Sequence, residues 1–105
     1  MRSTIIILEP RSSTRSTLRR ILEDLEKPTL LHADTTAIAA QILESVRVDL
    51  AFIDLGFAKN RSVHFITGIR QGLYSEDKRL PIVAVGEART DLFRRAYDAG
   101  VHGFL

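Results

Sequence analysis

The chain has 105 residues, 15 Lys and Arg against 13 Asp and Glu, a net charge of +2 and no cysteine. That length supports one domain, residues 1–105, with a core that needs no staples; the missing thiols exclude a disulfide framework and thiolate metal sites, which fits a cytoplasmic protein. No apolar run approaches the roughly 20 residues of a membrane span, the apolar part of the N-terminus is too short for a secretory signal, and the basic residues are spread without interleaved aromatics, which argues against nucleic-acid binding.

The first strand is Thr4-Ile5-Ile6-Ile7-Leu8. Three consecutive β-branched residues in an unbroken apolar run suit a strand buried on both faces. It stops at Glu9-Pro10, where proline has no N–H to give the ladder. Ser12 or Ser13 is placed to cap a helix whose Leu18, Ile21, Leu22 and Leu25 form an i, i+3, i+4, i+7 stripe. Arginines 15, 19 and 20 fall mostly off that stripe. With Arg11 they read as a solvated helix face or as a docking surface for an acidic partner.

Lys27-Pro28 breaks the helix, and Thr29-Leu30-Leu31-His32-Ala33 reads as a second strand. Asp34, Thr35 or Thr36 offers the next cap, for a helix with Ala39, Ile42, Leu43 and Val46 on one side. The third strand is Leu50 to Asp54, an apolar run that closes on a carboxylate and is followed by Leu55-Gly56. In open α/β sheets, ligands and chemistry gather at that carboxyl edge. Ser62 then caps a helix bearing Phe65, Ile66, Ile69 and finally Leu73, and 72–79 reads as a polar surface loop. The fourth strand is Pro81 to Gly86. Thr90 or Asp91 begins a helix with Phe93, Ala96 and Tyr97 on one side, closed by Gly100. Val101 to Leu105 begins a fifth strand.

Five strands alternating with four helices predict an α/β protein with a parallel sheet covered on both faces. A fifth strand with no helix after it leaves part of one face to a continuation of the chain or to a partner. The chain is then expected to be the N-terminal part of a longer protein, or to present an apolar patch there.

The whole pattern resembles the receiver domain of two-component response regulators. The resemblance is carried by Ile5-Ile6-Ile7-Leu8-Glu9 as first strand and leading acid, by Asp49 to Asp54 as third strand and phosphoacceptor, by Leu80 to Val85, and by Ala99-Gly100-Val101-His102-Gly103-Phe104-Leu105. It implies a flavodoxin-like, doubly wound sheet of order 2-1-3-4-5, apparently without the last helix, with Glu9 and Asp54 meeting at the topological switch point. It also implies a phosphoryl group passed from a histidine kinase to Asp54, with Mg²⁺ held by Glu9 and Asp54, and Phe104 in the place of the aromatic switch.

The departures from that family are in the chemistry. Pro10 stands where the second acid, usually a direct metal ligand, is expected, and it brings no side-chain oxygen. Gly86 stands where a Ser or Thr hydroxyl would hold the phosphoryl group. The family's lysine would fall just past Leu105, and Phe57-Ala58 replaces the usual Met-Pro. With the second acid gone, Mg²⁺ binding should be weak. The expectation is an atypical, non-enzymatic receiver acting through protein contacts (a kinase, an output domain or a second copy as a dimer), against the alternative of a phosphorylatable one. Without the resemblance, Asp54 reads as a strand-end acid bonded to nearby backbone N–H groups, and with the resemblance the two readings stand level. Glu9 reads as a solvated loop acid and Glu87 as pointing to solvent. His32, His64 and His102 lack metal-ligand spacing, and Glu-Pro-Arg-Ser-Ser is not a glycine-rich phosphate cradle.

Overall fold

A computed structural model of the chain describes residues 3–56, 61–86 and 90–105. The elements run β1 (Thr4–Leu8), α1 (Ser12–Glu26), β2 (Thr29–Ala33), α2 (Thr36–Ser45), β3 (Leu50–Asp54), α3 (Arg61–Arg70), β4 (Ile82–Val85), α4 (Thr90–Ala99) and β5 (Gly103–Phe104). All strand pairs are parallel and the order is β2-β1-β3-β4-β5. This is the doubly wound order expected from the sequence, with β1 and β3 adjacent where the winding reverses. No helix among the described residues is long and apolar enough to cross a membrane.

The apolar strands split their side chains between two cores. Ile5, Ile7, Phe52 and Val85 pack with Leu18 and Leu22 of α1 on one face. Ile6, Leu8, Ala51, Ile53, Ile82 and Ala84 pack on the other face, with Ala39 and Leu43, Phe65, Ile66 and Ile69, and Leu92 and Ala96 from α2, α3 and α4. Alternation of side chains along each strand makes this division, and burial on both sides explains why the strands read as continuous apolar runs.

Several helix positions differ from the sequence reading, each for a local reason. Arg11, not Ser12 or Ser13, occupies the N-cap of α1, without a side-chain cap bond. Its side chain is engaged elsewhere, and both serines lie in the first turn. Ile21 is exposed, because Leu18 and Leu22 complete the sheet-facing row; the side chain of Leu25 lies outside the description. Thr35 caps α2 by accepting from the Ile38 N–H at 3.1 Å, while Val46 has already turned extended and is exposed. Helix α3 ends before Leu73. The Leu73 N–H bonds the Gly68 carbonyl and the Gly72 N–H bonds the Ile69 carbonyl, both at 3.0 Å, closing the helix on a left-handed glycine at φ 78°. Gly100 ends α4 the same way, and Tyr97 points outward with 70% of its surface exposed.

The 72–79 loop is less polar in its packing than in its composition. Tyr74 folds back onto Phe65, ring centroids 4.9 Å apart, and lies against Gly68. Arg70, the last residue of α3, fixes the far side of this region. Its guanidinium donates to the carbonyls of Gly100, Lys78 and Leu80 at 2.6–3.0 Å, tying α3, the loop and the entry to β5 together.

Candidate functional site

β1 and β3 end side by side, with Leu8 paired to Ile53, so the residues that follow them share one edge. Glu9 continues β1 by one ladder bond, its N–H to the Ala33 carbonyl at 3.1 Å, before Pro10 turns the chain out. Asp54 closes β3, paired with Val85 of β4. Both acids are almost fully buried, Glu9 at 1% and Asp54 at 3% exposure. Two carboxylates in that position repel each other and have lost their water, so the fold must supply compensation.

Arg11 and the Gly56 N–H supply it between them. The Arg11 Nε donates to Glu9 Oε1 at 2.7 Å, and its Nη2 reaches Asp54 Oδ2 at 3.4 Å. The Arg11 backbone N–H also donates to Glu9 Oε1, at 3.2 Å. The proline turn places this residue: two positions after Glu9, its stem folds back over the acid it follows. The role of Arg11 was missed in the sequence, where it joined Arg15, Arg19 and Arg20 as one basic face. Arg19 does belong to such a face, paired with Glu23 at 2.9 Å.

Asp54 Oδ1 accepts from the Gly56 N–H at 2.9 Å. Its backbone carbonyl accepts from the Ser62 hydroxyl at 2.6 Å, and Ser62 is fully buried. Ser62 is therefore a second-residue anchor inside α3 rather than its cap: the helix begins at Arg61, and the hydroxyl ties that first turn to the end of β3. Burial pushes the Asp54 carboxyl up from 3.8 to about 6, helped by the hydrogen bond and charge of Glu9 and opposed by the Gly56 N–H and the Arg11 guanidinium. Glu9 Oε2 is buried without a protein hydrogen-bond partner.

Gly86 faces the same carboxylate. A β-carbon built on it would lie 3.7 Å from Asp54 Oδ1, so a side-chain hydroxyl there would stand over the acid, and glycine provides none. Phe104 is not brought to the pocket. It lies two strands away, paired with Ala84, and packs on Phe93 with centroids 4.6 Å apart, 40% exposed. Phe57, Ala58 and Glu87 lie outside the described residues. The histidines do not converge: His102 Nδ1 accepts from the Ile82 N–H at 3.2 Å, His32 lines a small cavity with Arg15 and Arg19, and His64 is exposed on α3.

For Mg²⁺ the donor set fits poorly. The ion demands near-octahedral oxygen ligation and is usually held by carboxylates together with waters and phosphate. Here Arg11 and Gly56 occupy three of the four carboxylate oxygens, Pro10 offers none, and no group of three or more His, Cys, Asp or Glu is gathered among the described residues.

This architecture is widely represented in solved structures. A response regulator from Thermotoga maritima superposes with a TM-score of 0.85 at 20% identity, over all of this chain and 84% of the other. The Vibrio cholerae chemotaxis protein CheY4 gives 0.86 at 17% identity, over 100% and 86%. The fold is the receiver fold. Within it, the Mn²⁺-bound form of response regulator Rcp1 gives 0.82 at 20% identity, over 98% of this chain and 79% of that one. Neither a family model nor a curated protein matches the sequence. The strand order brings the ends of β1 and β3, and with them Glu9 and Asp54, to one edge, and Phe104 lies on β5.

Proposed function

We propose that residues 1–105 form one receiver-type regulatory domain of a two-component signalling protein, working mainly through contact with other proteins, with phosphoryl transfer to Asp54 impaired. The observation that carries this reading is the surround of Asp54. Its carboxylate sits at the end of β3 with one accessory acid, an arginine and a backbone N–H, while Gly86 offers no hydroxyl to an incoming phosphoryl group. Phosphoryl transfer depends almost wholly on positioning and on neutralising charge, and each missing contact is a loss of that kind. The role is regulatory, not catalytic. The partners implied are a histidine kinase, an output domain or a second copy of the chain, and the domain is taken to lie in the cytoplasm.

A second reading keeps Asp54 as a working acceptor, because the acid is buried at the right edge with Glu9 beside it. One experiment separates the two. Wild type and Asp54→Asn are incubated with acetyl phosphate and Mg²⁺, and intact mass is followed for a gain of one phosphate that hydroxylamine removes. The expected result is no stoichiometric gain in either protein. Robust labelling that disappears in Asp54→Asn would overturn the impaired reading.

A further inference from the structure

We propose that the Arg11 guanidinium is the resident cation of the Glu9–Asp54 pocket and closes it to divalent metal. The inference deepens the reading of this site as a poor phosphate acceptor, and rests on it only in taking these two acids as the pair a metal would need.

The argument begins with the turn. Glu9-Pro10-Arg11 leaves β1 at the sheet edge, and proline's ring fixes the backbone between the acid and the arginine. The Arg11 N–H and Nε both converge on Glu9 Oε1, at 3.2 and 2.7 Å, so one carboxylate oxygen is gripped from two sides. The 2.7 Å contact is in the range of a charge-assisted bond. The same guanidinium then spans to Asp54 Oδ2 at 3.4 Å, on a residue 43 positions away in the chain. A guanidinium keeps its charge throughout the working pH range and presents several donors from one plane, which suits it to bridge two acids. A divalent ion would have to take these same oxygens.

The Arg11 side chain is 55% exposed while the acids it bridges are almost fully buried, so the guanidinium reaches both carboxylates from the solvent side of the pocket. The cation arrives with the fold and needs no concentration of free metal. A metal entering this pocket must first displace a positive charge held at the end of the same turn, and that competition is intramolecular.

The test is Mn²⁺ binding to wild type, Arg11→Ala and Arg11→Gln at pH 8, read by amide NMR and by an independent titration of free Mn²⁺. Wild type should show no saturable broadening of the Gly56 amide at millimolar metal. Both Arg11 variants should gain at least tenfold in affinity, with broadening centred on Glu9 and Gly56, and the gain should vanish in Arg11→Ala/Asp54→Asn. Arg11→Gln keeps most of the stem, so it guards against a folding defect in the alanine variant. Equal affinity in wild type and the variants overturns the inference, as does a gain that survives in the double variant. Acetyl phosphate labelling of wild type that needs no Mg²⁺ would sink the proposed function and leave this inference standing, whereas Mg²⁺-dependent labelling at Asp54 would overturn both. A lack of metal gain in the Arg11 variants would sink the resident cation and leave the interaction role standing.

Discussion

Replacing Asp54 with Asn should stabilise the protein at alkaline pH and leave it unchanged in acid. The carboxyl is raised from 3.8 to about 6 in the folded state, chiefly by burial. The folded chain therefore binds this proton more tightly than the unfolded chain. Stability falls as pH rises from about 4 to about 6, where the unfolded state has lost the proton and the folded state still holds it, and is level above that window. At about 1.4 kcal/mol per pH unit, the shift costs about 3 kcal/mol when complete. Asparagine removes this cost and its Oδ1 still accepts the Gly56 N–H, which Asp54 now holds at 2.9 Å. The 3.4 Å contact to the half-exposed Arg11 is lost as well, but its attraction is already included in the raised value. The net gain at pH 8 should be about 3 kcal/mol, or roughly 15 °C in Tm for a domain of this size. Urea unfolding of both proteins, followed by circular dichroism at pH 4 and pH 8, measures the difference directly. A ΔΔG that is the same at both pH values, or a variant less stable at pH 8, would refute the reasoning.

Other substitutions test other parts of the fold. Arg70→Ala removes the donors to the Gly100, Lys78 and Leu80 carbonyls and should cost about 2–3 kcal/mol in chemical denaturation, with faster hydrogen exchange around β5. Gly100→Ala forces a β-carbon into a φ of 111° and within 2.8 Å of Arg70 Nε, so it should destabilise by more than about 1 kcal/mol. Thr35→Ala deletes the cap on the Ile38 N–H and should cost about 1 kcal/mol, visible as fraying of the first turn of α2. Gly86→Ser should place a hydroxyl beside Asp54 Oδ1 at the cost of a strained φ of 156°, lowering stability while raising labelling by acetyl phosphate above wild type.

The strands were legible because burial on both faces writes them as unbroken apolar runs: Thr4–Leu8, Thr29–Ala33 and Leu50–Asp54 match their predicted ends. Helix faces were read less well at their margins. Ile21, Val46, Leu73 and Tyr97 continue an apolar period beyond the place where the sheet or the helix itself stops, and periodicity carries no information about that limit. At the site, Glu9 and Asp54 followed from strand ends and topology. Arg11 did not, because a basic residue at the start of a basic helix looks like every other solvated arginine. Only the turn at Pro10 decides that its stem folds back, and only the adjacency of β1 and β3 puts Asp54 within its reach. The hint was local: an acid, a proline and an arginine in a row. Ser62 was singled out as a helix cap for the same reason a hydroxyl before an apolar run usually is, yet its acceptor was the carbonyl of Asp54.

Helix α1 has no acidic residue in its first turn and no side-chain cap on its N-terminal amides. Glu9 stands in for both, since the N–H at the cap position, that of Arg11, ends on Glu9 Oε1. The entrance to the longest helix and the edge of the acid pocket are thus one hydrogen-bonded unit, and the positive end of the helix draws on the same carboxylate as the guanidinium. A ligand, proton or substitution that takes Glu9 Oε1 away must loosen the first turn of α1 as well. Amide exchange at Ser12 to Arg15 therefore reports on the pocket from outside it, and the arginine-studded surface that α1 shows to solvent is geared to the charge of two residues it never exposes.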